Sequence, residues 1–65
     1  MNVRVNGEKR RLEFATIDQL LRLLAIPEQG VAVAVEGEVV RRAEWPLYRI
    51  QEGQSVEIVR AVQGG

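Results

Sequence analysis

Apolar and polar residues alternate from Asn2 to Asn6, with Val3 and Val5 on one face and Asn2, Arg4 and Asn6 on the other. A period of two is the signature of a half-buried strand. Asn6-Gly7 follows, a dipeptide suited to a type I′ turn, whose two central residues both need positive φ. The pattern predicts a hairpin whose return strand carries Leu12 and Phe14 on its inner face and Arg11 and Glu13 outside.

The period then changes. Ile17, Leu20, Leu21 and Leu24 follow the i, i+3, i+4, i+7 spacing of one buried helical stripe. Thr16-Ile17-Asp18-Gln19 has the form of a capping box, in which the threonine hydroxyl and the glutamine side chain satisfy amide donors that have no partner inside the helix. Asp18 falls in the first turn, where a negative charge complements the helix dipole. Pro27 is the expected stop, giving a helix of about two turns. Val31 to Val35 is a run of valine and alanine, expected to form a strand buried on at least one face. Glu36-Gly37 marks a turn and Val39-Val40 a short strand. Arg41 to Gln51 is irregular and broken by Pro46, with Trp45, Leu47 and Ile50 as expected core anchors. Glu52-Gly53 turns into a last strand from Ser55 to Val62.

The order strand, strand, helix, strand, short strand, strand is best buried by one helix on one face of a mixed sheet of about four to five strands. This predicts an α+β domain of β-grasp, ubiquitin-like fold. Its last strand runs parallel beside the first, because a crossover separates them in sequence. Residues 1–62 are expected to form the domain and residues 63–65 a flexible tail ending in Gly64-Gly65.

Composition narrows the function. A chain of 65 residues that is 46% hydrophobic and lacks cysteine must rely on a single apolar core rather than on disulfides or thiolate-bound metal. Nine basic residues balance nine acidic ones, which argues against general electrostatic binding to nucleic acid. The basic run Lys9-Arg10-Arg11 follows the turn and reads as a solvated hairpin shoulder. The apolar runs are too short to span a bilayer. A cytoplasmic, monomeric protein without nucleic-acid or membrane partners is the expectation.

With neither histidine nor cysteine, the usual catalytic constellations are hard to assemble, and the chain is expected not to be an enzyme by itself. Glu36 and Glu38 flank a turn glycine, but two carboxylates are too few for a dedicated cation cage, and solvated turn charges are the favoured reading. No metal site is assigned. In the last strand Val56 and Ile58, extended by Val62, form the inner set, so Val59 and Ala61 face outward. β propensity alone accounts for Val59, and an apolar outer face next to a working terminus suggests docking. Arg60 is expected at the sheet margin with its guanidinium in water. Gly64-Gly65 is a poor strand ending because ordering glycine costs the most backbone entropy. A tail without side chains is instead suited to threading a narrow channel and presenting its terminal carboxylate to a reactive nucleotide.

Over essentially its whole length the chain resembles the ThiS-type sulfur carriers of thiamine-thiazole biosynthesis, within the ThiS/MoaD ubiquitin-like superfamily. The resemblance rests on Val3-Arg4-Val5-Asn6-Gly7, the capped helix from Thr16, the stretch from Val33-Ala34-Val35 to Val39-Val40, and Gly64-Gly65. Arg42 and Trp45 are similar to the family's Val-Pro-Arg-x-x-Trp segment, with Arg41 standing where proline is common. The Gly-Gly end is shared with molybdopterin-synthase small subunits, tRNA-thiolation carriers and ubiquitin, while the tryptophan segment and short length favour the thiazole branch.

The resemblance implies that a ThiF-type adenylating enzyme uses ATP and magnesium to activate the Gly65 carboxylate. A persulfide donor then converts it to a thiocarboxylate, and thiazole synthase (ThiG) takes the sulfur. No cofactor is implied on the chain itself. Gly64 and Gln63 would serve tail threading, and Val59 and Ala61 partner docking. A carrier for tRNA thiolation or molybdopterin synthesis, or a protein modifier joined through isopeptide bonds, would use the same terminus.

Overall fold

The computed structural model describes residues 1–60. Strands β1 (Asn2–Val5), β2 (Glu8–Arg11), β3 (Val31–Val35), β4 (Glu38–Val40) and β5 (Ser55–Arg60) form one sheet in the order β2-β1-β5-β3-β4. The helix α1 (Ile17–Leu23) and a 3-10 helix (Arg42–Leu47) complete the chain. β1 and β5 are parallel, and the other neighbours are antiparallel. This is the β-grasp arrangement, with the last described strand in the centre of the sheet.

The first turn forms as its sequence dictates. Asn6 and Gly7 have φ of 49° and 86°, the two positive values a type I′ turn requires. β2 is shorter than expected, because its ladder on β1 ends at the pair Asn2↔Arg11. Leu12 and Phe14 lie beyond that strand, but Leu12 still exchanges two bonds with Met1, at 2.9 and 3.1 Å. Both side chains pack partly buried against the core on the inner side, as expected.

The helix entry also departs from the expected box. The Thr16 main-chain carbonyl accepts the first helical hydrogen bond, from Leu20 at 3.0 Å. Its hydroxyl donates to the Asp18 carboxylate instead of capping an amide, and Gln19 Oε1 accepts from the Ala15 N–H at 2.8 Å. The residues before the helix are held by tertiary pairing, since Ile50 N–H donates to the Ala15 carbonyl at 3.0 Å and Thr16 bridges Arg49.

The helix ends before Pro27 is reached. Ala25 takes φ of 59°, its N–H donates to Arg22 O at 3.1 Å, and Ile26 N–H donates to Leu21 O at 2.9 Å. These are the two bonds of a Schellman motif, here with alanine in the left-handed position that glycine usually fills.

One apolar core joins the layers. Val3, Val5, Val33, Val35, Val40, Val56 and Ile58 come from the sheet, Ile17, Leu20 and Leu21 from α1, and Trp45 and Ile50 from the segment between β4 and β5. Trp45 is 2% exposed and its indole N–H donates to the Val40 carbonyl at 2.9 Å. Leu47 corrects the expectation of a third anchor, being 80% exposed. A 3-10 helix turns about 120° per residue, so when Trp45 points inward Leu47 is carried around to solvent and Tyr48 comes back to the core as a partly buried neighbour.

Candidate functional site

The last strand is gripped from both sides. On one side it pairs with β3 over five positions, from Val31↔Arg60 to Val35↔Val56. On the other it meets β1 at Arg4↔Ser55 and Val5↔Val56. Alternation along β5 sends Val56 and Ile58 into the core and leaves Glu57 and Val59 on the face opposite the helix. Val59 is therefore outward, as expected, and 60% exposed.

The sheet adds neighbours that no single stretch of sequence displays. Ala32 lies directly across from Val59, Ala34 lies across from Glu57, and Val39 lies across from Ala34. Val59, Ala32, Ala34 and Val39 thus form an apolar band over β5, β3 and β4, with Val39 75% exposed. The signal for Val39 and the two alanines was their period-two phase, readable only once the order of strands is known. The other half of the same face is basic. Arg4 faces Lys9 and Asn2 faces Arg11 across the first hairpin. Arg10 falls on the opposite side, opposite Val3.

Glu36 does not share an open site with Glu38. Glu36 sits at φ of 52° in its turn, and its Oε2 accepts from Ser55 N–H at 2.6 Å. That carboxylate ties the β3–β4 turn to the start of β5. Glu52 does comparable work at the neighbouring turn, where it accepts from the Asn2 side-chain amide at 2.9 Å and from the Asn2 N–H at 3.1 Å. Those bonds from the Asn2 side chain and main chain hold its carboxyl below the usual glutamate range.

Arg42 starts the 3-10 helix and pairs with Glu28 at 3.6 Å. Arg41, standing in place of a proline, adopts φ of −67°, the value a proline ring would impose. The local turn is kept without the imino acid. Arg60 is exposed at the end of the described strand. Ala61, Gln63, Gly64 and Gly65, the remaining predicted site residues, lie outside the described residues.

Asn6 is a participant that sequence reasoning assigned only to a turn. Its side-chain Oδ1 accepts from Ile58 N–H at 2.8 Å, and its Nδ2 donates to Ile58 O at 3.1 Å.

Comparison with known proteins places this architecture. The sequence model of the ThiS family matches residues 3–65. The sulfur carrier protein ThiS of Thermus thermophilus is 36% identical over 61 residues, covering 94% of this chain and 95% of that protein. The Escherichia coli sulfur carrier protein ThiS is 28% identical over 50 residues, covering 77% of this chain and 76% of its own length. The crystal structure of the thiamine biosynthesis protein ThiS from Geobacter metallireducens superposes with a TM-score of 0.85 at 29% identity, over 100% of both chains. With its β-grasp sheet and a family match running from β1 to the terminal glycine, the chain belongs to the ThiS family, the sulfur carriers of thiamine biosynthesis, which are carriers rather than enzymes.

Proposed function

We propose that this chain carries sulfur as a thiocarboxylate on Gly65 and delivers it for thiazole formation. The observation that carries the reading is the family match, which extends through Gly64-Gly65 at residues 3–65. The chemistry needs only that terminus from the carrier. A carboxylate resists nucleophiles because of its charge, so an adenylating enzyme joins a Gly65 oxygen to the α-phosphorus of ATP and expels pyrophosphate. The terminal sulfur of a persulfide attacks the acyl carbon and AMP leaves. A thiol then opens the resulting acyl disulfide and frees the thiocarboxylate. Its sulfur is the nucleophile that the thiazole-forming enzyme consumes.

The adenylating enzyme is proposed to dock on the outer face of the sheet. Val59, with Ala32, Ala34 and Val39, supplies apolar surface on and beside the strand that precedes the tail, and Ala61, two positions after Val59 in sequence, is proposed to add to it. Gly64 and Gln63 pass through the entry channel, where glycine offers no side chain to obstruct closure.

The test uses the absence of cysteine. The carrier is incubated with its adenylating enzyme, magnesium, ATP and a persulfide donor, alkylated, and mapped by mass spectrometry. An adduct on Gly65, absent after Gly65 deletion, is the expected result. A fully charged reaction without any adduct on Gly65 would refute the sulfur reading, and higher-mass conjugates in its place would redirect it to protein modification. In the same assay Val39→Lys and Val59→Lys should each raise the KM for the carrier about tenfold, the loss expected on removing an apolar anchor from an interface. Both sites are exposed, so melting temperatures should hold.

A further inference from the structure

β5 receives only brief main-chain support from β1. The register contains Arg4↔Ser55 and Val5↔Val56, and the first strand then turns away at Asn6-Gly7. Asn6 N–H makes the final main-chain bond, to Val56 O at 2.9 Å. Without further support, the edge of β5 from Ile58 onward would face an abandoned neighbour. The Asn6 side chain fills that place. Its Oδ1 takes the Ile58 N–H at 2.8 Å and its Nδ2 reaches the Ile58 carbonyl at 3.1 Å, so one amide group supplies both the acceptor and the donor that a continued strand would have offered Ile58 from two residues.

The turn by itself does not explain the choice of residue. Glycine, aspartate and asparagine all accept the left-handed first position of a type I′ turn. Of these only asparagine carries both a donor and an acceptor in its side chain. The residue therefore satisfies two demands at once, and the second is toward a strand 52 positions away in sequence.

We infer that Asn6 is a positioning residue for the carrier terminus: by clamping Ile58 it sets the line along which β5 leads into the tail. The inference rests on the thiocarboxylate reading for its function. A partner that must seat an extended segment gains when part of that segment is ordered beforehand, because the ordering cost is not charged to binding. Asn6 prolongs the hold on β5 at the point where β1 turns away.

Two substitutions separate the clamp from the turn. Asn6→Gly keeps the positive φ and removes both side-chain bonds. Asn6→Asp keeps an acceptor for the Ile58 N–H but sets a carboxylate oxygen against the Ile58 carbonyl. Amide hydrogen exchange at Ile58 should accelerate about tenfold in Asn6→Gly, the effect of freeing a protected N–H. In thiocarboxylate formation the KM for the carrier should rise about three- to tenfold in Asn6→Gly, with kcat within about twofold, as expected for lost preorganisation. Asn6→Asp should be at least as impaired. Val3→Ala, a buried change on the same hairpin, is the control; it should lower the melting temperature and leave KM unchanged.

Equal KM values for wild type, Asn6→Gly and Asn6→Asp would overturn the positioning role, as would a rise in Val3→Ala matching that in Asn6→Gly. Wild-type carrier that forms no thiocarboxylate would defeat the sulfur reading instead. Exchange at Ile58 would then still decide the clamp, since unchanged protection in Asn6→Gly overturns it.

Discussion

Replacing Trp45 by phenylalanine tests the reasoning about the core most directly. The indole is 2% exposed and donates to the Val40 carbonyl at 2.9 Å. Phenylalanine keeps an aromatic ring but cannot donate, so a buried carbonyl loses its partner at a cost of about 1–2 kcal/mol. The smaller ring also leaves unfilled volume, worth about 1 kcal/mol more where the surroundings relax only partly. The sum is about 2–3 kcal/mol. A domain of this size has a total stability of only about 3–10 kcal/mol, and the melting temperature should fall by about 10–20 °C. Urea unfolding followed by far-ultraviolet circular dichroism is the suitable assay, because the substitution removes the chain's one tryptophan and its fluorescence. Leu47→Ala is the comparison. That side chain is 80% exposed, and its loss should change stability by less than about 0.5 kcal/mol. A cost below about 1 kcal/mol for Trp45→Phe, at an unchanged denaturant slope, would show that the indole bond and the packing around it are worth far less than argued.

Two further substitutions probe turns. Ala25→Gly should stabilise the fold by about 0.5–1 kcal/mol, because Ala25 holds φ of 59° at the helix terminus and glycine adopts that conformation without the Cβ penalty; a lower urea midpoint would refute it. Glu52 has a carboxyl held below the ordinary range by its bonds to Asn2. A depressed folded-state pKa means that its stabilisation is complete above the unfolded value of about 4.3 and is lost as pH falls through the lower folded value. The stability gap between wild type and Glu52→Ala should therefore close as pH falls through that acid window. A gap that stays constant down to the lowest pH would rule out the carboxylate as its source.

Local chemistry explains what could be read from the sequence. Asn6-Gly7 determined its hairpin because two positive φ values are a property of adjacent residues. Ile17, Leu20 and Leu21 announced the buried stripe by spacing alone, and all three are fully buried. The alternation in β5 placed Val59 outward. What escaped depended on distant partners or on the pitch of a short helix. Leu47 looked like an anchor until a 3-10 turn rotated it away from Trp45. β2 ended at Arg11 and only Leu12 continued the pairing, through its two bonds to Met1, so Phe14 packs beyond the strand. The helix ended on a Schellman motif at Ala25, a residue with no stop signal of its own. Of the candidate site, Val59 was legible, whereas Ala32, Ala34 and Val39 joined it only through the strand order. The Asn6 bonds to Ile58 connect opposite ends of the chain and leave no trace in a local pattern. Gln63, Gly64 and Gly65 remain a reading from resemblance and family.

The central place of β5 has a mechanical consequence. An edge strand pulled from its end can peel away one hydrogen bond after another. β5 is flanked by β3 along its length and by β1 and the Asn6 amide on its other side, so a pull along its axis loads these bonds together, in shear. Tension transmitted through the terminus would be shared by a strand bonded on both sides, so that drawing the end of this chain into a channel need not unravel the body that carries it.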